Sequence, residues 1–325
     1  MRTYQEAGVD ISRGDRVTDF IRKMKSPALG ENLGEKIGGF AGGVRFDPSR
    51  YSRPVLLSTC DGVGTKILVA RTLKRYTTIG IDLVAMCAND LLACGVKPMV
   101  FQDYIACGRI VEETVQEILK GVVAGCEQAG CRLTGGETAE MPDLYSDGDF
   151  DLAGFCAGIA EEEEILPRLD RIREGDALLG LPSSGIHSNG LSLARKILPE
   201  SAWVDLLVPT RIYTREITAL AETGGVLAAA HVTGGGLEAN LARVIPERIG
   251  ARLSWDWPRP EVFKHIQKRG GVEESEMRRV FNLGIGVALV VSRSVVGEVL
   301  GAAKRSGIPV LEIGELAAIE RGEVG

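Results

Sequence analysis

Asp61-Gly62-Val63-Gly64-Thr65-Lys66 follows the apolar run Val55–Cys60, and this junction decides how the first half of the chain is read. Val-Leu-Leu-Ser-Thr-Cys after Pro54 is short, apolar and closed by a glycine turn, the pattern of a short buried strand. Asp61 then stands at a strand end, where a side chain faces a crevice. Gly62 and Gly64 let backbone N–H groups approach an anion closely, and Lys66 supplies a point charge suited to phosphate. A carboxylate among phosphate-seeking groups makes sense with a divalent cation between them. An ordinary strand-to-helix turn with a surface Asp and Lys is the alternative that the hexapeptide alone leaves open.

Downstream, Thr65–Leu73 reads as a short helix and Thr77–Gly95 as a longer one. From Ile81 to Cys94 the run is apolar on every side except at Asp82, Asn89 and Asp90, which marks a buried helix. Asp82 reads as its N-cap. Asn89 and Asp90 fall mid-helix, where an unpaired carboxylate is costly; a cation or an Arg or Lys from elsewhere would resolve the conflict. Gly95 caps the helix. Met99–Ala106 is a strand, and Val111–Ala129 is a helix with Val115, Ile118, Leu119, Val122, Val123 and Cys126 on one face. Gly130 ends it, and strand Cys131–Leu133 delivers the turn Thr134-Gly135-Gly136-Glu137. Asp61, Asp90 and Glu137 therefore read as one oxygen-ligand set, of the kind Mg²⁺ uses while holding substrate phosphates. After strand Asp151–Ala160, the run Glu161–Glu164 with Pro167 marks a boundary near 165, giving domains 1–165 and 166–325.

Upstream, Gly30–Gly43 (GENLGEKIGGFAGG) carries too many glycines for a regular element. It is either a tether or a loop that orders over a ligand, and Phe40 suits the second. In the second half, strand Ala177–Leu181 leads into Pro182-Ser-Ser-Gly-Ile-His-Ser-Asn-Gly190 and helix Leu191–Leu198. Serine hydroxyls, glycine backbone and His187 there form a candidate anion site, with a simple capping loop as the alternative. His231-Val-Thr-Gly-Gly-Gly236 opens helix Leu237–Val244 and reads as a second phosphate cradle. The tail, strand Gly284–Ser292, helix Val295–Ser306 and strand Ile308–Ile313, is core material.

Composition bounds the function. The 325 residues are long enough for two domains, with 45% hydrophobic and 25% charged residues, ordinary for a soluble globular chain. A net charge of −6 without any Lys/Arg block argues against nucleic-acid or membrane-surface binding. The seven cysteines are odd in number, lack C-x-x-C spacing and fall between Cys60 and Cys156, so they read as reduced, mostly buried thiols. No apolar N-terminal stretch reads as a signal peptide and no run reaches membrane-helix length, so the expectation is a cytoplasmic protein. No Gly-Lys pair occurs, which removes a P-loop ATPase.

DGVGTK (61–66), GIDLVAMCAND (80–90), GGETAEMP (135–142), DLAGFCAG (151–158), SSGIHSNG (183–190), PTRIY (209–213) and HVTGGG (231–236), in this order, resemble the phosphoribosylformylglycinamidine cyclo-ligase family. The resemblance runs from YQEAGVDI at Tyr4 to the closing FNLGIGV. It implies ATP-dependent closure of an imidazole ring in purine biosynthesis, acting on a small phosphoribosyl substrate. It also implies an α+β fold of two α/β-layered domains with mixed sheets, in a homodimer whose N-terminal sheets meet as a barrel with ATP nearby. Carried over by position, Asp61, Asp90 and Glu137 match the metal and triphosphate region, and Lys66 a phosphate-contacting lysine. The glycine-rich segment with Gly38, Gly39 and Phe40 matches the nucleotide cover. Gly62, Gly64, Thr65, Asn89, Gly135 and Gly136 complete the expected nucleotide-binding set, joined by Ser184, Asn189, Gly234 and Gly235 of the later loops. Lys66, Asp82 and His187 are the candidate catalytic side chains. The chain departs from the family at Cys60, where Thr is commoner, and in the cover loop, which continues Gly42-Gly43-Val44-Arg45 in place of an apolar pair.

Overall fold

The computed structural model describes residues 8–29 and 39–319. Internal contacts divide these into two units: one holds the described residues up to Leu91 together with Pro98–Ile159, the other Leu92–Lys97 together with Ala160 onward.

The first unit comprises α1 (Ile11–Lys23), β1 (Pro54–Gly62), α2 (Lys66–Leu73), α3 (Thr77–Ala93), β2 (Val100–Cys107), α4 (Glu112–Ala129), β3 (Arg132–Glu140) and β4 (Phe150–Glu161). The four strands form one mixed sheet in the order β1-β4-β2-β3, with β2 parallel to β3 and antiparallel to β4. Helices α3 and α4 cover one face. They cross at Gly80 and Gly121, where a side chain on either would overlap the other helix's backbone, so the two helices meet main chain to main chain. The apolar stripe of α4 is buried as its 3.6-residue period predicts, each large side chain contributing about 1.5–3 kcal/mol.

Two local expectations are corrected. Strand β1 is not buried: it lies at the sheet edge, and its residues alternate between half-buried and exposed, with Leu56 69% exposed. The Gly135-Gly136 pair does not turn. Strand β3 runs straight through it, with one register shift opposite Phe101/Gln102. What requires glycine at 136 is close approach, because a Cβ there would overlap the Asp103 carboxylate.

The second unit comprises β5 (Ala177–Pro182), α5 (Leu191–Ile197), α6 (Thr214–Ala221), β6 (Val226–His231), α7 (Gly236–Ala242), β7 (Ile249–Leu253), α8 (Glu261–Gly270), α9 (Glu274–Val280), β8 (Ile285–Val291), α10 (Val296–Arg305) and β9 (Leu311–Ala318). Its sheet, β6-β8-β5-β9-β7, is antiparallel at every pairing. Period-two alternation explains the layers. In β8, Ala288 and Val290 join the core beneath α7, whereas Val287, Leu289 and Val291 join the core beneath α6 and α10. A strand apolar on both faces is central, and all seven β8 residues are buried. Because β5 and β6 both run antiparallel to β8, they point the same way. Their ends fall opposite Ile285 and Val287, so the loops that follow them emerge side by side.

Candidate functional site

Asp61 sits at the C-terminal end of β1, half-buried, with one carboxylate oxygen accepting from the Gly62 N–H at 2.7 Å. Cys87 on α3 places its Sγ 3.9 Å from the Asp61 carbonyl. Asp90, one turn further along the same helix face, is also half-buried. Burial pushes the Cys87 thiol up, and the fields of both Asp61 and Asp90 add to the shift, so the two carboxylates share one neighbourhood. Asn89 is wholly buried beside them.

Glu137 does not join them. It lies on β3, and β1 and β3 are the opposite edges of the four-stranded sheet, three strand spacings or about 14 Å apart. Among the described residues, no three His, Cys, Asp or Glu side chains converge as a metal site. The single oxygen-ligand cluster of Asp61, Asp90 and Glu137 expected from sequence is therefore corrected: within one chain it is a pair and a separate carboxylate.

Two further expectations change. Asp82 is not an N-cap, since α3 begins at Thr77 and Asp82 lies in its second turn. Its Oδ1 accepts from Lys66 Nζ at 2.9 Å, and both side chains are fully buried. Burial draws the Lys66 ammonium below its usual pKa, opposed by Asp82. Lys66 is thus an interior cation tying α2 to α3, not an open charge on the turn. Gly64 and Thr65 are the exposed part of that turn, and Gly62 is half-buried.

Around Glu137 the sheet edge carries two cavities, of about 300 and 250 Å³. Both are lined by Gly39, Asp103, Gly135, Gly136 and Glu137; the larger also meets α1, the smaller Phe40 and Phe155. Gly39 of the expected cover segment is therefore beside Gly135 and Gly136, Phe40 projects its ring outward, fully exposed, and Gly38 lies outside the described residues. The sequence reading missed Asp103. Burial, with the Glu137 charge adding, raises this carboxyl to about 7. Its signal was available: Phe101, Asp103 and Ile105 share the inward face of β2 by alternation, and an acid among them is anomalous. Glu140, three residues beyond Glu137 on β3, anchors α1 by accepting from Arg13 and from the Asp10 and Ile110 N–H groups at 2.6–2.9 Å.

In the second unit the loops after β5 and β6 are built on internal hydrogen bonds. Ser183 Oγ donates to Asn282 Oδ1 at 2.9 Å, Asn282 Nδ2 to the Gly185 carbonyl at 2.9 Å, and Ser184 Oγ to the Pro209 carbonyl at 2.6 Å. His187 has φ +60° and is buried, with Nε2 accepting from the Ser184 N–H at 3.2 Å and its ring beside Tyr213. An acceptor Nε2 fixes the neutral ring with its proton on Nδ1. His187 therefore shapes the loop from beneath, while Ser184 is exposed and Asn189 half-exposed above it. A Cβ on exposed Gly234 would lie 3.8 Å from Asn189 Oδ1, so the two loops touch. Asn240 Nδ2 donates to the carbonyls of Gly236 and Gly234 at 2.8 and 3.2 Å, and Gly234 and Gly235 are exposed.

One unit thus carries a carboxylate pair at the end of a mixed-sheet strand and on the helix beside it, and the other carries glycine-built loops on an antiparallel sheet. Residues 48–160 match the family described as AIR synthase related protein, N-terminal domain, and residues 173–325 its C-terminal domain. Among curated relatives, the phosphoribosylformylglycinamidine cyclo-ligase of Burkholderia pseudomallei is 46% identical, covering 99% of this chain and 95% of its own. That of Sorangium cellulosum is 44% identical, covering 98% and 96%. The chain belongs to the phosphoribosylformylglycinamidine cyclo-ligase family. Solved structures share the fold at lower identity. Hydrogenase maturation protein HypE in complex with ATP has a TM-score of 0.68 at 17% identity, covering 98% of this chain and 89% of that one. Thiamine-monophosphate kinase from Stenotrophomonas maltophilia has a TM-score of 0.63 at 18%, covering 94% and 93%.

Proposed function

We propose that the protein is an ATP-dependent cyclo-ligase that closes the imidazole ring of formylglycinamidine ribonucleotide, giving aminoimidazole ribonucleotide, ADP and phosphate in purine biosynthesis. The observation that carries this reading is identity of 44–46% to cyclo-ligases, sustained over 97–99% of the chain. The chemistry needs ATP because formyl oxygen is a poor leaving group. Transfer of the γ-phosphoryl group to that oxygen, then attack of the amidine nitrogen on the formyl carbon, expels the oxygen as inorganic phosphate. Catalysis of such a transfer is mostly positioning and charge stabilisation.

Each unit has parts for this. Asp61 and Asp90 are hard oxygen donors on a strand end and a helix, half-open, with an amide donor in buried Asn89; they suit Mg²⁺ bound with triphosphate. Magnesium, when bound, would neutralise charge on the transferring phosphoryl group. Gly64 and Thr65 would offer backbone and hydroxyl donors to phosphate, and Gly39, Gly135 and Gly136 would let the nucleotide approach the β3 edge. In the second unit, Ser184, Asn189 and the Gly234-Gly235 amides would hold the phosphoribosyl end. His187 would keep that loop in shape; its burial supports a positioning role over direct proton transfer.

A homodimer completes the reading. The uncovered sheet face bears Leu56, 69% exposed, and Phe155, 46% exposed, apolar groups that a second sheet would cover in a barrel. The same pairing would bring Glu137 of a second copy to the Asp61 and Asp90 pair, which one chain alone cannot do. No helix among the described residues is long and apolar enough to cross a membrane, in keeping with a cytoplasmic enzyme. Substrate carrying heavy oxygen in its formyl group tests the chemistry. The label is expected in inorganic phosphate, and label released into water would refute the proposal.

A further inference from the structure

The first unit holds a cavity that neither reading above uses. About 510 Å³ in volume, within the ~300–1,000 Å³ of small-molecule pockets, it opens where the end of α2, the start of α4 and the loop before β4 meet. It lies on the helix-covered side of the sheet, away from the face assigned to the dimer. It is also at the opposite end of α3 from Asp90: Tyr76, just ahead of α3, is about 20 Å of helix from that carboxylate.

Its chemistry is divided. Ile105, Val115 and Ile118 form an apolar floor, and Tyr76 and Phe150 form a wall with ring centroids 6.0 Å apart in an edge-to-face pair. At the rim stand three cations. Arg71 is paired with Asp149, whereas Lys74 and Arg109 are exposed and have no carboxylate partner among the described residues. Asp147 supplies one acceptor on the lining. The walls are fixed without a ligand. The Met141 N–H donates to the Cys107 carbonyl at 2.7 Å, the Gly108 N–H to the Asp149 carbonyl at 3.1 Å, and a Cβ on Gly108 would overlap the backbone of Tyr145 and Ser146.

An apolar floor with an aromatic wall calls for a planar ring. Lys74 and Arg109, exposed on the lining without a carboxylate partner among the described residues, call for an anion on that ring's substituent, and the Asp147 carboxylate on the same lining calls for hydroxyl donors. We propose that this cavity binds a nucleoside monophosphate: the base lies over Ile105, Val115 and Ile118 against Tyr76 and Phe150, the phosphate meets Lys74 and Arg109, and the ribose hydroxyls donate to Asp147. The site is separate from the triphosphate region and does not depend on the cyclo-ligase reading.

Titration of the intact protein with GMP and AMP, in the presence of a saturating non-hydrolysable ATP analogue, tests it. Binding with a dissociation constant below ~1 mM is expected, weakened at least ~10-fold by Lys74→Glu and by Arg109→Glu. Thr114→Trp, at the mouth of the cavity, is expected to abolish binding. Should that variant fail to fold, the two charge reversals at exposed positions still decide the matter. The proposal is overturned if neither monophosphate binds with the analogue present, if both charge reversals leave affinity unchanged, or if inorganic phosphate competes as well as the nucleotides.

Discussion

Lys66 and Asp82 offer the sharpest test of the interior. Their charged atoms are 2.9 Å apart with both side chains wholly buried. At an effective dielectric of about 20, that distance gives roughly 6 kcal/mol of attraction, a sum that approximately offsets the desolvation of the two ions. The intact pair is therefore close to neutral in stability, and either half alone is a liability. Lys66→Met, or Asp82→Leu, should each cost about 3–5 kcal/mol, whereas the double variant Lys66→Met/Asp82→Leu should recover most of that loss. Urea unfolding followed by far-UV circular dichroism measures all three. A double variant no more stable than the sum of the single losses would refute the argument, because the two charges would then not be holding each other. Turnover of the double variant settles a further point. An interior cation that ties α2 to α3 predicts activity within about tenfold of the parent once the fold is restored, whereas a loss of ~10²-fold would return Lys66 to the phosphate.

Asp90→Asn should lower kcat by at least ~10²-fold while leaving the unfolding transition in place, since its carboxylate is half-exposed and serves charge stabilisation. Gly136→Ala should weaken ATP binding at least ~10-fold with little change in the substrate's KM, because its methyl group displaces Asp103 at the β3 edge; an unchanged ATP affinity counts against that edge as a nucleotide wall. Acid unfolding of the second unit should depend on Glu274. The Arg259, Arg278 and Gln267 hydrogen bonds hold its carboxyl at about 2, below the usual 4.5, so its contribution is complete above about 4.5 and fades as the pH falls toward 2. Trp255, with Arg278 4.3 Å over its ring, reports the transition by fluorescence, and Glu274→Gln should remove that part of the pH dependence.

Much of this was legible in the sequence wherever periodicity carried the signal. The stripe Val115–Cys126 gave α4 and its buried face, and the apolar run before Asp61 gave β1 in nearly its observed span. A short apolar run cannot say where a strand lies in its sheet, so β1 reads as interior although it is an edge. Glycine pairs were ambiguous for a related reason. Gly135-Gly136 signals a tight backbone, and turn and close packing require the same absence of a side chain; only the neighbour at Asp103 distinguishes them. The acid at position 82 reads as an N-cap because its partner stands sixteen residues back, at Lys66, in a turn whose residues point to phosphate. Likewise, residue types suggested that Asp61, Asp90 and Glu137 act together, while strand order, which placed two of them at opposite edges, has no signature in any one segment.

That separation leads to a prediction that only a shared site satisfies. If Asp61 and Asp90 act with Glu137 of a second copy, each active centre draws on two chains. Asp61→Asn and Glu137→Gln homodimers should then both be impaired by at least ~10²-fold, since every centre carries one defect. Mixing them under conditions that exchange subunits changes the arithmetic. In a hybrid, one centre collects both defects and the other collects none. With random exchange half of the dimers are hybrids and half of their centres are intact, so activity should rise to about a quarter of the parent value. If all three carboxylates served a centre within a single chain, every centre in the hybrid would still carry one defect, and mixing would restore nothing. Recovery that tracks the rate of subunit exchange therefore supports the shared centre. Exchange demonstrated by mass measurement without recovery would refute it, and would leave Glu137 with a structural role at the β3 edge.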